Sequence, residues 1–477
     1  MELVECAEGR KLVELSAEAF HSRLEPYFTL RSYVVHNGER VLRPKLCSLD
    51  NAKALLATEA AFKHLPMIQA VINSPIFAED EKGRLVVLNQ GYHSRNGGIY
   101  VLRKREIDTG IQVDEAVKAL LDIVRDFSFL DESDKGRCVA GIISPALRFR
   151  RLLDTDFPLD YCEADQSQTG QTYRMNLICS VYGEEPCVVV LPSESKKGVA
   201  SLDELLSAAL RSGRPFITLD NLRGQISNQL LESAIRGQGT VTVRSAYSKP
   251  TQIETDHVYW MATSNKAQTT RDLANRSIIT CLRKRPWNFK FREYDGTDLL
   301  THIKRKSDYY LSCIFAVLRQ WHLCWKPHTD ETCHDFREWS QTLDWIIQNI
   351  FELPPLLDDH HSEQLRISSP GLSHLREVAL AVQQSDQCGE ELSATEIAGI
   401  CEAAAIQIPG CRPGAELDQQ SRRIGSLVGP LFKESEVIEV EGFVIKRVQH
   451  KAYDDERKEY RLRKSYCFEK NQEICPR

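Results

Sequence analysis

The sequence predicts an α/β protein: a parallel-sheet core, a mainly helical amino-terminal region and a carboxy-terminal winged helix. Three observations carry that expectation. From about residue 141 to residue 292, short apolar strand-like runs alternate with helical ones, as in parallel strands joined by crossover helices. Before this stretch, helical patterns mix with short strands. After about residue 390 the order becomes helix, helix, then two strands around a charged loop, which is the order of a winged helix-turn-helix.

Bulk properties narrow the class. At 477 residues the chain is too long for one core, and length alone suggests about three domains. With 42% hydrophobic and 27% charged residues, nothing reads as disordered. The net charge of -6 excludes a globally basic surface, so any nucleic-acid contact must be local. Fifteen cysteines without a C-x-x-C pair read as reduced thiols. The start, "MELVECAEGRKLVEL", lacks the basic residues and apolar run of a signal peptide. The apolar stretch "YYLSCIFAVL" is shorter than the ~18–20 residues that span a bilayer. A cytoplasmic protein without a membrane partner is expected.

The elements follow from local pattern. "SLDNAKALLATEAAFKHL" opens on Ser48 as a helix cap. "RLVVLNQGYHSRNGGIYVLRK" reads as two strands around a turn at Asn96-Gly97-Gly98, and "VDEAVKALLDIVRDF" as an amphipathic helix. "PLDYCEAD" is strand-like. "QTYRMNLICSVYG" is a helix with Met175, Leu177, Ile178 and Val181 on one side, and "LDELLSAALRSG" is a second helix closed by Gly213. "PFITLDN" and "HVYWMATSN" are buried strands that end in polar residues. From about 294 to 385 the chain is mostly helical.

One loop raises the question of function. "DQSQTGQT", Asp165 to Thr172, has the length and tail of a phosphate-binding loop, G-x-x-x-x-G-K-[ST], between a strand and a helix. Such a loop surrounds phosphates with backbone N–H groups and a helix N-terminus, a lysine neutralises them, and the Ser or Thr hydroxyl helps to hold Mg²⁺. Here Gly170 and Thr172 stand in place, but Asp165 replaces the first glycine and Gln171 the lysine. Downstream, Asp220 ends an apolar strand, where an acid would accept a Mg²⁺-bound water. Asn265 ends the next strand, where an amide could orient an attacking water, and Arg276 follows in "RDLANRS". Each has a plain structural alternative: a strand-to-helix turn, a strand-end turn former, a cap and a surface cation. Their order on these elements favours the functional reading.

From about Leu15 to Lys464 the chain resembles the helicase part of phage, plasmid and genomic-island primase-helicases, an AAA+ group of P-loop NTPases close to superfamily III helicases. The resemblance is carried by "HLPMIQAVINSPIF", "NQGYHSRNGGIYVL", "DQSQTGQT", "GRPFITLDN", "VTVRSAYSK", "MATSN" and "RDLANRS", in that order. It implies four regions: 1–130, amino-terminal α+β; 131–300, an AAA+ core; 301–385, a helical lid or connector; and 386–477, a winged helix that binds DNA. It implies Gly170, Gln171 and Thr172 at the nucleotide, with Thr172 and Asp220 directing Mg²⁺. It also implies Asn265 as sensor 1 and Arg276 as an arginine finger reaching a neighbouring subunit of a ring. ATP and Mg²⁺ are the implied cofactors, with a separate primase as a possible partner. Replacing the lysine by Gln171 removes a full charge from the phosphates, so weak ATP binding and strongly reduced hydrolysis are expected. A catalytically inactive subunit for DNA binding or assembly, or a regulator, is the alternative.

Local cations supply the nucleic-acid expectation. "GQGTVTVRSAYSKP" suggests a hairpin with Arg244 and Lys249, which the resemblance places in a channel for single-stranded DNA. In the tail, Arg422 and Arg423 lie on a helix suited to a major groove, and Lys446 and Arg447 on a strand suited to phosphates. The other reading of this tail is a solvated charged hairpin. "WHLCWKPHTDETCHDF" matches no zinc spacing.

Overall fold

Buried β-branched and aromatic runs, bounded by capped helices, set the architecture. A computed structural model describes the chain except at residues 1, 7–8, 14, 28, 59–67, 95–97, 150–151, 165–168, 191–200, 237–239, 245–249, 266, 413, 433–434, 441, 455–458 and 471–477. Two compact units are formed by interleaved segments. The first comprises Met1–Leu222, Asn228–Asn265 and Thr280–Leu356, and the second Arg223–Ser227, Lys266–Ile279 and Leu357–Arg477.

In the first unit, the Ser48 hydroxyl caps helix Leu49–Ala57 by accepting the Asn51 N–H at 3.2 Å. This helix contributes to a small core of Leu24, Cys47 and Ala52. The run read as two strands holds three. Gly91–His93 pairs antiparallel with Ile99–Val101, whereas Leu85–Leu88 pairs with Ile76–Glu79. The difference arises because Asn89 and Gln90 break the first run: the Asn89 side chain turns to bond the backbone of Arg105.

The central layer follows. Helices α1 (Val113–Val124) and α2 (Glu132–Arg148) precede β1 (Leu159–Ala164), and α3 (Gln171–Val181) leads towards β2 (Cys187–Val190). Then come α4 (Leu202–Arg211), β3 (Phe216–Leu222), β4 (Tyr259–Ser264) and β5 (Ser277–Leu282). The sheet order is β2-β3-β4-β1-β5. Parallel registers join Val189 to Leu219, Thr218 to Met261, and Met261 to Asp160. From β1 the chain crosses to the β2 edge, and from β4 it continues to β5 on the other side of β1. The order therefore reverses at the carboxyl ends of β1 and β4, where open α/β sheets form their ligand crevice.

α3 is buried on almost every side, including Met175, Leu177, Ile178 and Val181. Its one buried cation, Arg174, forms a two-pronged ion pair with Asp160 at 2.7 and 3.1 Å, and the Tyr259 hydroxyl donates to the same carboxylate at 3.2 Å. Gly141 on α2 makes room for this pair: a Cβ there would stand 2.6 Å from both Arg174 Nη2 and Asp160 Oδ2. Between β3 and β4, Thr240–Val243 and Thr251–Glu254 form an antiparallel hairpin. Helices Leu299–Arg305, Ser307–Leu323 and Arg337–Asn349 complete the unit.

The second unit ends in α5 (Pro370–Gln384), α6 (Ala394–Ala403), α7 (Leu417–Val428), β6 (Phe443–Asp454) and β7 (Glu459–Lys470). β6 and β7 are flanked by Val437–Val440 and Glu391–Ser393 in a four-stranded antiparallel sheet. One hydrophobic core, from Leu375 to Phe468, lies between these helices and the sheet. Among the described residues no helix is long and apolar enough to cross a membrane.

Candidate functional site

The loop after β1 ends at Gly170, whose φ of 104° lies in the left-handed region. A side chain there would be strained, and its Cβ would also meet Phe127 at 3.5 Å and Arg285 at 3.7 Å. Gly170 thereby opens α3 without a side-chain cap among the described residues, and the N–H groups of a helix N-terminus attract anions.

Gln171 turns inward. It is 8% exposed, and its amide nitrogen donates to the carbonyl of Cys162 at 3.2 Å and to the carbonyl of Ser264. One side chain thus ties together the carboxyl ends of β1 and β4. The amide that stands in the lysine position is engaged by backbone rather than aimed outward.

Thr172 points the other way. Its hydroxyl donates to Asp220 Oδ1 at 2.9 Å, and a second hydroxyl, that of Thr263, donates to the same oxygen at 2.6 Å. The Asn221 N–H in turn donates to Thr263 Oγ1 at 2.7 Å, so three elements converge on one carboxylate. The strand register shifts between Leu219 and Leu222, with Asn221 at φ 56°. This bulge rests on a residue type that tolerates the left-handed region. Asp220 is half-buried, and among the described residues no cation pairs with it. A hydroxyl beside an unpaired carboxylate fits a Mg²⁺ ion, which takes oxygen ligands and keeps several waters.

Asn265 closes the group. Its Nδ2 lies 3.4 Å from Asn221 Oδ1, a weak contact, and its buried Oδ1 has no hydrogen-bond partner among the described residues. Thr169 Oγ1, just before Gly170, is likewise buried without a partner among them. Orphaned polar atoms beside an open helix N-terminus suit a polar ligand or its waters.

Gly170, Gln171, Thr172, Asp220 and Asn265 therefore meet at the crevice of the first unit. Arg276 belongs to the second unit, where it pairs with Asp272 at 2.8 Å. Asp165 lies outside the described residues, as do Lys196 and Lys197 of "SESKKG", the nearby cations that could have replaced the missing lysine. Arg174, engaged by Asp160, takes no part in the loop.

The nucleic-acid candidates divide. Arg244 is exposed at the end of its hairpin arm, and Lys249 lies outside the described residues. Arg422 is exposed, 3.9 Å from Asp418, while Arg423 donates to the Pro409 carbonyl at 2.8 Å. Lys446 is paired with Glu469 at 2.7 Å and Arg447 with Glu436 at 2.6 Å.

Two features escaped the sequence reading. Thr263 shares a strand face with Asn265, two residues on, and that period-two spacing was the available signal. Arg285 lies in "RKRPWNFKFR", residues 283–292, where alternating basic and aromatic residues were the signal.

No protein-family model matches the chain, and no curated protein matches it. Solved structures do. The apo C-terminal region of NrS-1 aligns with a TM-score of 0.33 and 11% identity over 92% of this chain and 94% of that one. SCCmec type IV Cch, described as an active helicase, gives 0.33 and 12% over 92% and 90%. JCV helicase, solved with a small molecule bound, gives 0.23 and 11% over 54% and 71%.

Proposed function

We propose that this chain is an AAA+ helicase-like protein of mobile-element DNA replication that binds Mg²⁺·ATP at the crevice and hydrolyses it slowly. The observation that carries the reading is the 2.9 Å contact between Thr172 and Asp220, directly after a left-handed Gly170 and at the point where the sheet order reverses. On this reading the α3 N-terminus meets the phosphates, and Thr172 and Asp220 hold Mg²⁺. That ion would neutralise charge on the phosphates. Asn265, with an unengaged amide oxygen, is suited to orient a water.

Slow turnover is supported by Gln171. Phosphoryl transfer depends on positioned charge, and this amide carries none and bonds two carbonyls instead. The same observation favours a second reading, a pseudo-ATPase that keeps the nucleotide as a structural ligand. The remaining parts follow from the family resemblance. The tail would act as a winged helix on duplex DNA through Arg422 and Arg423, Arg244 and Lys249 would line a channel for single-stranded DNA, and Arg276 would reach the next subunit of a ring.

Thermal denaturation tests the core of this proposal. Mg²⁺·ATP at a hundredfold excess over its Kd should stabilise the protein by about 2.7 kcal/mol. Thr172→Ala and Asp220→Asn should abolish most of the shift. A wild-type protein that ignores Mg²⁺·ATP would sink the proposal. Steady-state ATPase assays then separate the two readings: turnover stimulated by single-stranded DNA marks the helicase, and binding without turnover the pseudo-ATPase.

A further inference from the structure

A cleft of about 410 Å³ opens beside Gly170, lined by Phe127, Tyr173, Phe291, Leu299 and Arg285, among others. This volume lies within the ~300–1,000 Å³ typical of small-ligand sites. The guanidinium of Arg285 sits against three aromatic rings, 5.6 Å from the centre of Phe127, 5.2 Å from Phe289 and 4.9 Å from Phe291. Its Nε donates to the Asp126 carbonyl, which fixes the fork and leaves Nη1 on the side of Gly170.

Two carboxylates line the same cleft, and both already have partners; Arg292, which holds Asp126, is a second cation on the cleft wall, itself neutralised by that pair. Asp126 accepts from Arg292 at 2.8 Å, and Asp298 caps the helix at Leu299–Arg305 by accepting from Thr301 at 2.6 and 3.1 Å. Among the described residues no carboxylate forms an ion pair with Arg285. Burial pushes its pKa down, against the attraction of Asp126. A half-buried guanidinium beside the positive end of a helix is unfavourable unless an anion joins them.

We propose that Arg285 supplies the positive charge that position 171 lacks, meeting the phosphates of a nucleotide whose nucleoside lies against the aromatic wall of this cleft. The proposal rests on the nucleotide reading above. It accounts for how a loop without a lysine can hold a polyphosphate. The cation enters from the segment after β5, and Gln171 is released to tie β1 to β4. A guanidinium also suits the task because it can donate two parallel bonds to one phosphate while its face remains stacked.

Calorimetric titration with Mg²⁺·ATP, on the full chain and its variants Arg285→Gln and Arg285→Lys, tests this. Gln keeps the stem and a polar head without charge, and Lys keeps the charge. Loss of charge-assisted hydrogen bonds predicts about 10- to 100-fold weaker binding for Gln, with Lys recovering part of the loss. Circular dichroism melts check that both variants fold, and if the Gln variant does not fold it is replaced by Arg285→Met, read by the same rule. Wild-type affinity in the uncharged variant, or a Lys variant as weak as the uncharged one, would overturn the proposal and leave the nucleotide site standing. Absence of ATP binding by the wild type would instead remove the nucleotide reading and this proposal together.

Discussion

Gln171 holds two backbone carbonyls at the ends of neighbouring strands, and this makes it a stability residue whatever else the loop does. Its amide leaves the Cys162 and Ser264 carbonyls satisfied in a place with little access to water. Gln171→Met keeps the length of the side chain and removes the donor, so it should cost about 1–3 kcal/mol, read as a lower midpoint in chemical denaturation without nucleotide. Unchanged stability would mean that the carbonyls find other donors. At this scale the sequence was partly legible. Spacing singled out Gly170, Thr172 and Asp220, because loop length and strand ends are written along the chain, and the fold brings Thr172 against Asp220. The inward turn of Gln171 was not legible, because its acceptors come from β1 and β4, 9 and 93 residues away. The Asn221 bulge was hidden as well. A left-handed Asn reads, in sequence, like any other polar residue at a strand end.

Among the elements, α3 is the one on which the site depends, and its ends are secured by buried polar groups. Beyond its carboxyl end Tyr182 donates to the Ile142 carbonyl at 2.7 Å, and Glu184 accepts from the Asn73 side chain at 3.0 Å and from its backbone N–H. Burial pushes the Glu184 carboxyl up from 4.5 to about 7, although the Asn73 hydrogen bonds act against the rise. Because the folded value exceeds the unfolded one, the protonated form favours the fold. That contribution is complete below pH 4.5 and is lost as pH rises through about 7. Glu184→Gln, which stays neutral, should flatten the dependence of thermal stability on pH between 4.5 and about 7. A variant that keeps the wild-type slope would assign the dependence to other groups. Helical period and the Ser201 cap made α4 legible, whereas α3, read as one-sided, is buried on almost every side and opens on Gly170 without a side-chain cap; the partners that hold them were not legible. The charged tail gives the same lesson. Lys446 and Arg447 stand out in sequence, whereas the acids that pair with them, Glu469 and Glu436, are brought across by the sheet.

For the whole molecule, the open question is where the chain can be cut, since its two units are built from interleaved segments. The expected last region begins at 386. α5 lies before that boundary, yet Leu375, Val378, Ala379 and Val382 are buried in one core with Ile397, Ile424, Ile445 and Phe468. Pattern shows where a chain bends, and only packing shows which core a helix serves. Burying these side chains of α5 contributes about 5 kcal/mol, comparable with the whole stability of a small domain at ~5–15 kcal/mol. A fragment of residues 369–477 should therefore unfold cooperatively on heating, with dispersed amide resonances. A fragment of residues 386–477 should lack a cooperative transition, because the face of the core that α5 covers would be open to water. Equal cooperativity in the two fragments would mean that α5 is an attachment to this core rather than part of it. Further upstream, helix His360–Ser368 ties to the middle of the chain: His360 accepts the Ile279 N–H at 3.0 Å and Gln364 donates to the Ala274 carbonyl at 3.0 Å. A fragment beginning at 357 would keep the packing of Leu365 on this core but lose the Ile279 and Ala274 partners of His360 and Gln364, so the cut at 369 should give the better-behaved protein. Comparing the melts of fragments begun at 357, 369 and 386 places the boundary by experiment.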